Sequence, residues 1–197
     1  MVGTSCWWSS LLLVLTVVGR EAAWAQVLFK GTCPNIPPMK DFDPEAFLGR
    51  WYEIERFFVS YEAAAGTCWV EVYLHDPDRG YYTRLEWKER LTEKILSIEN
   101  GLTLSEEPGR LRYVLQRPNI PFLQGEYLIL ATDYSSYALA WQCQDLPLIF
   151  GHTEILWFLS KEQHPNSATV QSAKHIAAGL GLQVSFLLEQ DRTSCPP

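Results

Sequence analysis

Cysteine and histidine carry most of the covalent and metal chemistry open to this sequence. The cysteines are Cys6, Cys33, Cys68, Cys143 and Cys195, and the histidines are His75, His152, His164 and His175. A structural zinc site needs pairs of such ligands a few residues apart, and these separations are far too wide. A nucleophile needs a base within hydrogen-bond reach. The histidines fall in turns, at a strand end and on a helix, with no readable Ser/His/Asp or Cys/His arrangement. No metal, no cofactor and no catalysis are therefore expected. The cysteines read instead as disulfides. Trp7 to Val18 is an apolar run of signal-peptide length, too short to span a bilayer, and Ala23-Trp24-Ala25 offers a cleavage site. Removing residues 1–25 takes Cys6 away and leaves one secreted, extracellular domain over 26–197. Its four cysteines, an even count in an exported chain, read as two bridges with three pairings open.

What remains is the chemistry of binding. Tyr73, Trp87, Tyr113, Tyr127, Trp141 and Trp157 fall on segments that read as strands, as does Tyr82. Large rings leave gaps that suit a small apolar guest, although they also suit a solidly packed core. The first six are the candidates for lining a cavity. The net charge is −7 with no basic cluster, which argues against nucleic acid as a partner and against docking on anionic lipid by charge.

The elements that must position these rings are short strands. Segments 50–57, 67–75, 80–88, 94–104, 109–116, 126–132, 136–144 and 152–160 are separated by turn residues such as Asp76-Pro77-Asp78-Arg79-Gly80, Glu107-Pro108-Gly109 and Asp133-Tyr134-Ser135. One helix follows, capped by Asn166 or Ser167, with Val170, Ala173, Ile176 and Ala177 at helical spacing and Gly179 at its end. Segment 182–188 reads as a further short strand. Eight antiparallel strands must hide their edges, and closure is the direct way to do so. The expected fold is all-β: an eight-stranded antiparallel up-and-down β-barrel with one C-terminal α-helix packed outside. At eight strands the interior is filled by side chains or holds one small ligand.

In such a barrel successive connections alternate between the two ends. Connections two, four and six are polar and share one end. Connections one, three, five and seven share the other, and three of them are apolar: Phe57-Phe58-Val59, Ile120-Pro121-Phe122-Leu123 and Leu146-Pro147-Leu148-Ile149-Phe150. Only the third, Glu89 to Glu93, is charged. These apolar loops either fold inward and plug the mouth or form a rim, from Phe57, Phe58, Phe122, Leu123, Leu148, Ile149 and Phe150, that touches a membrane, a lipoprotein particle or a partner.

Gly49-Arg50-Trp51-Tyr52-Glu53-Ile54 opens the first strand, and Thr132-Asp133-Tyr134 lies at the sixth connection. Loop parity puts both at the same end of the barrel. With the helix after the eighth strand, this combination resembles the lipocalin family. Cys33-Pro34-Asn35, Ile129-Leu130-Ala131, Tyr137-Ala138-Leu139 and Cys195-Pro196 extend the resemblance to one branch of it, over nearly the whole mature chain. The resemblance implies disulfides Cys33–Cys143 and Cys68–Cys195 and transport of small hydrophobic molecules such as sterols, fatty acids or pigments. It also implies structural roles for Gly49, Trp51, Thr132, Asp133 and Tyr134, with Trp51 plugging the closed end. The family carries an arginine over that tryptophan. Here the position is Lys161, which keeps the cation–π contact without the planar fork. Trp157 and Tyr73 match positions that line the family's pocket. In the third strand Tyr81, Thr83, Leu85 and Trp87 share one face and Tyr82, Arg84 and Glu86 the other. Apolar patterning favours the first set inside, and the family resemblance favours the second.

The expected function is that of a secreted carrier of a small hydrophobic ligand. A pigment carrier for bilin or carotenoid, or a ligand-free barrel that docks a protein, are the alternatives. A lipocalin can also act as an isomerase through a free thiol in its pocket, which here requires one bridge to be absent.

Overall fold

The computed structural model describes residues 26–115 and 126–196. Residues 1–25, expected to be a signal peptide, and Phe122 and Leu123, expected at the rim, lie outside the described residues. Eight strands build the barrel: β2 (Gly49–Arg56), β3 (Gly66–Asp76), β4 (Gly80–Glu89), β5 (Ile95–Leu104), β6 (Arg110–Leu115), β7 (Glu126–Thr132), β8 (Tyr137–Leu146) and β9 (Gly151–Ser160). Each pairs antiparallel with the next, and β2 pairs with β9 to close the ring. Two additions finish the edges. β2 reaches only Trp157 to Ser160 of β9, and β1 (Val27–Lys30) pairs with the bare stretch from Gly151 to Glu154. β10 (Leu188–Glu189) pairs with Arg56 and Glu55 at the end of β2. Both additions satisfy backbone groups that would otherwise form an open edge.

Inward and outward residues sort into two hydrophobic clusters. Ile155, Trp157 and Leu159 of β9 face the inside with Trp51, Tyr73, Tyr127 and Ile129, while Leu156 and Phe158 face outward with Leu128, Leu139 and Trp141. The wall formed by β7 to β9 is apolar on both faces because helix α2 (Ser167–Gly179) and the N-terminal arm cover it. The Asn166 side chain caps α2 by accepting the Thr169 N–H at 2.9 Å, and the fully buried Ala173 and Ala177 let the helix lie close to the barrel. Gly181, at φ 87°, supplies the left-handed turn after it. Segment 182–188 does not form the expected strand. It makes a 3-10 turn over Val184–Phe186, and only Leu188 and Glu189 find a partner strand.

The first connection contains a short helix, α1 (Ser60–Ala65), which the sequence pattern does not announce. Gly66 follows it because a Cβ there would stand 2.0 Å from the Lys88 carbonyl oxygen. Two disulfides tie the ends of the chain to the barrel: Cys33–Cys143 joins the N-terminal arm to β8, and Cys68–Cys195 joins the tail to β3.

Candidate ligand cavity

One end of the barrel is sealed from the residues upward. Gly49 adopts φ 99°, which only glycine takes without strain, and turns the chain into β2. Trp51, fully buried, donates its indole N–H to the Phe47 carbonyl at 2.9 Å and stacks on the Phe47 ring. Lys161 Nζ lies 4.1 Å from the centre of the Trp51 ring and donates to the Leu48 carbonyl at 2.8 Å. Burial lowers its pKa. Thr132, Asp133 and Tyr134 hold the neighbouring turn. Burial would raise the Asp133 carboxyl, but the Ser136 hydroxyl and the N–H groups of Ser136, Tyr137 and Ser135 hold it at about 2. Tyr134 bridges to the arm, accepting the Asp43 N–H at 2.8 Å and donating to the Asp41 carbonyl.

Above this floor lies a lumen lined by Glu53, Tyr61, Glu62, Glu71, Leu85, Asn100, Tyr113, Tyr127, Gln142 and Trp157, with about 40 Å³ free. That space holds a few waters. Drug-sized guests occupy pockets of roughly 300–1,000 Å³. The expectation of an open, ring-walled hollow is therefore not met as the side chains stand. Tyr61 and Glu62, carried by α1, occupy the mouth side of the lumen.

Its walls are polar to a degree that the pattern of rings conceals. Arg56 Nε lies 2.6 Å from Glu62 and 3.2 Å from Glu53, and all three side chains are buried. Glu71 accepts hydrogen bonds from Tyr73 at 2.8 Å and from Tyr113, with the Tyr127 hydroxyl at 3.4 Å. Burial, then the nearby Glu62 charge, pushes the Glu53 pKa well above the ordinary range despite Arg56. Burial also raises Glu62 against Arg56, and raises Glu71 against the Tyr113 and Tyr73 hydroxyls. The hydroxyls of Tyr73, Tyr113 and Tyr127 are raised for the same first reason.

Of the candidate lining residues, Tyr113, Tyr127 and Trp157 line the lumen directly, and Tyr73 joins through its hydroxyl. In β4 the apolar face turns inward: Leu85 lines the lumen, and Trp87, on the same face, stacks on Trp69 at 5.0 Å. Tyr82, Arg84 and Glu86 face out, where Arg84 and Arg50 pair with Glu86 and Arg79 covers the Tyr82 ring. Trp141 is a correction. It lies in the outer cluster and donates to Glu154 at 2.9 Å, while its neighbour Gln142 faces inward. The run Leu139-Ala140-Trp141 is apolar at every position, so alternation could not assign its faces. Phe57 is a second correction: it is fully buried in the outer cluster against Phe29 and Phe186 and forms no rim. Phe58, Leu148, Ile149 and Phe150 are exposed, Leu148 by 95% and Phe150 by 87%. Glu53, Arg56, Glu62 and Glu71 were missed because charged residues usually face solvent. The available signal was parity: Glu53 stands two residues after Trp51, and Glu71 two before Tyr73.

A closed eight-stranded barrel, plugged by the tryptophan of a Gly-x-Trp turn and flanked by one helix, has the architecture of a lipocalin. No family model matches the chain. Apolipoprotein D of Cavia porcellus is 31% identical over 191 residues, which is 94% of this chain and 96% of that protein. Insecticyanin-B of Manduca sexta is 28% identical over 77% of this chain and 74% of its own length. The solved insecticyanin structure from the tobacco hornworm superimposes with a TM-score of 0.72 over 86% of this chain and 91% of its own, at 22% identity, which shows the fold. The chain belongs to the lipocalin family, with the apolipoprotein D proteins among its relatives.

Proposed function

We propose that this protein is an exported carrier that takes one small hydrophobic or amphiphilic molecule into the barrel lumen. The observation that carries the reading is an enclosed lumen sealed by Trp51 at one end and walled by Tyr113, Tyr127 and Trp157. Two bridges closing loops of 110 and 127 residues suit an oxidising, extracellular setting. All four cysteines of the described residues are oxidised, so the thiol that a pocket isomerase needs is not offered there. A guest of sterol size enters as Tyr61 and Glu62 swing out of the mouth. The exposed Leu148, Ile149 and Phe150 form an apolar rim that meets a membrane or lipoprotein surface and passes lipid to the lumen.

The test is native mass spectrometry of the secreted protein, followed by extraction and identification of what it carries. A bound lipid or sterol supports the reading, and a coloured extract redirects it to a pigment. The small free volume favours one rival, a barrel that docks a partner through its rim and holds nothing. Consistently empty protein that also fails to quench its tryptophan fluorescence with retinoids, sterols and fatty acids would establish that rival. Replacing Leu148, Ile149 and Phe150 by Ser abolishes binding to lipid vesicles without lowering Tm if the rim acts as stated; unchanged vesicle binding refutes it.

A further inference from the structure

Among the described residues, three carboxylates line the lumen and one cation, Arg56, contacts two of them side chain to side chain. Glu53, Glu62 and Glu71 are at most 8% exposed, and the cation beside them is Arg56, which contacts Glu53 and Glu62. Among the described residues Glu71 has no cation partner, and tyrosine hydroxyls face it. A second, independent feature lies in the same wall. Asn100 is 5% exposed and lines the cavity, and its Oδ1 has no hydrogen-bond partner among the described residues. Thr83, directly across on β4 and fully buried, also leaves its hydroxyl without one. A buried carbonyl oxygen left unpaired is costly and calls for a donor. Buried carboxylates beyond the number of cations call for a positive charge or for retained protons.

We infer that the lumen recognises an amine: a guest with an ammonium or other hydrogen-bond-donating cationic head, placed among Glu53, Glu62, Glu71 and Asn100, and an apolar tail running past Trp157 toward the mouth. The inference rests on the carrier reading above and names the guest's chemistry. The free space of about 40 Å³ matches a small polar head, and the rest of the guest displaces Tyr61. A free fatty acid brings a fourth carboxylate into the same enclosure and is rejected by like-charge repulsion.

The experiment is calorimetric titration of the native protein with decylamine, decanol and decanoate, three probes alike except at the head, below their micellar concentrations. The expected order is amine, alcohol, carboxylate, with steps on the order of tenfold in Kd. Glu71→Gln reduces the amine's advantage over decanol on the same scale, and an unchanged β-sheet circular dichroism spectrum and Tm show that the variant is folded. General attraction of a cation to a protein of net charge −7 would survive that substitution, and such survival overturns the inference. Decanoate or decanol binding as tightly as the amine overturns it too while leaving the carrier intact. If none of the three binds, the inference is overturned, and the carrier reading is judged separately by the extraction and quenching test above.

Discussion

Residues at the closed end and in the lumen act through different electrostatics. Lys161 is half-buried over Trp51 and bonded to the Leu48 carbonyl, so Lys161→Ala loses a cation–π contact and a hydrogen bond. A fall in stability of about 1–2 kcal/mol is expected in urea denaturation, with Lys161→Arg retaining most of it. In the lumen the sign is reversed for charge. Folding raises the Glu53 pKa above its ordinary value of 4.5, so the folded form holds the proton more tightly than the unfolded chain. That stability is fully present below about pH 4.5 and is lost as pH rises through the folded value. Glu53→Gln leaves Arg56 paired one-to-one with Glu62, and it should flatten the loss of stability with rising pH above the ordinary carboxylate range, measured by chemical denaturation. Asp133 runs the other way: held at about 2, it stabilises the fold above the usual carboxylate range and ceases to do so as pH falls toward that value. Trp51 and Lys161 were readable from their spacing, because a plug and its cation need only a turn and a strand end. The lumen carboxylates were not, because which face of a strand is inside is a property of closure.

Among the elements, β7 to β9 form a wall packed on both faces, with α2 on its outer side. Ala173 and Ala177 are small and fully buried where α2 meets the barrel. Ala173→Leu overpacks that contact, and a loss of about 1–3 kcal/mol is expected, visible as a lowered Tm with the barrel's β-sheet circular dichroism retained. Helix α2 was legible because its 3.6-residue apolar period, its cap at Asn166 and its terminating turn all agree. Helix α1 was not: six residues are too few to show a period, and its position depends on Glu62 reaching Arg56 inside the barrel. The same limit explains Trp141, on a strand apolar on both faces because α2 and the arm cover its outer side.

For the molecule as a whole, the two disulfides and the sheet closure do separable work. Cys33–Cys143 closes a loop of 110 residues. In the chain-entropy model a bridge of that span is worth about 4–5 kcal/mol. The paired Cys33→Ser and Cys143→Ser substitution should therefore lower the unfolding free energy by that order, read from denaturant titration under oxidising conditions. β1 would be the first element to fray, since hydrogen exchange at Val27 to Lys30 then depends on its ladder with β9 alone.

Period-two strands, parity of loops, an even cysteine count and the Gly-x-Trp turn were enough to define an eight-stranded barrel and its sealed end, because each is a local rule obeyed along the chain. The contents of the lumen depended on non-local facts. Shear sets which residues of β2, β3, β5 and β8 converge, α1 folds back into the mouth, and a single arginine meets carboxylates of β2 and α1 while the β3 carboxylate is met by tyrosine hydroxyls. Convergence of that kind costs desolvation that no linear pattern registers, and it turns an apparently greasy cup into an acidic one.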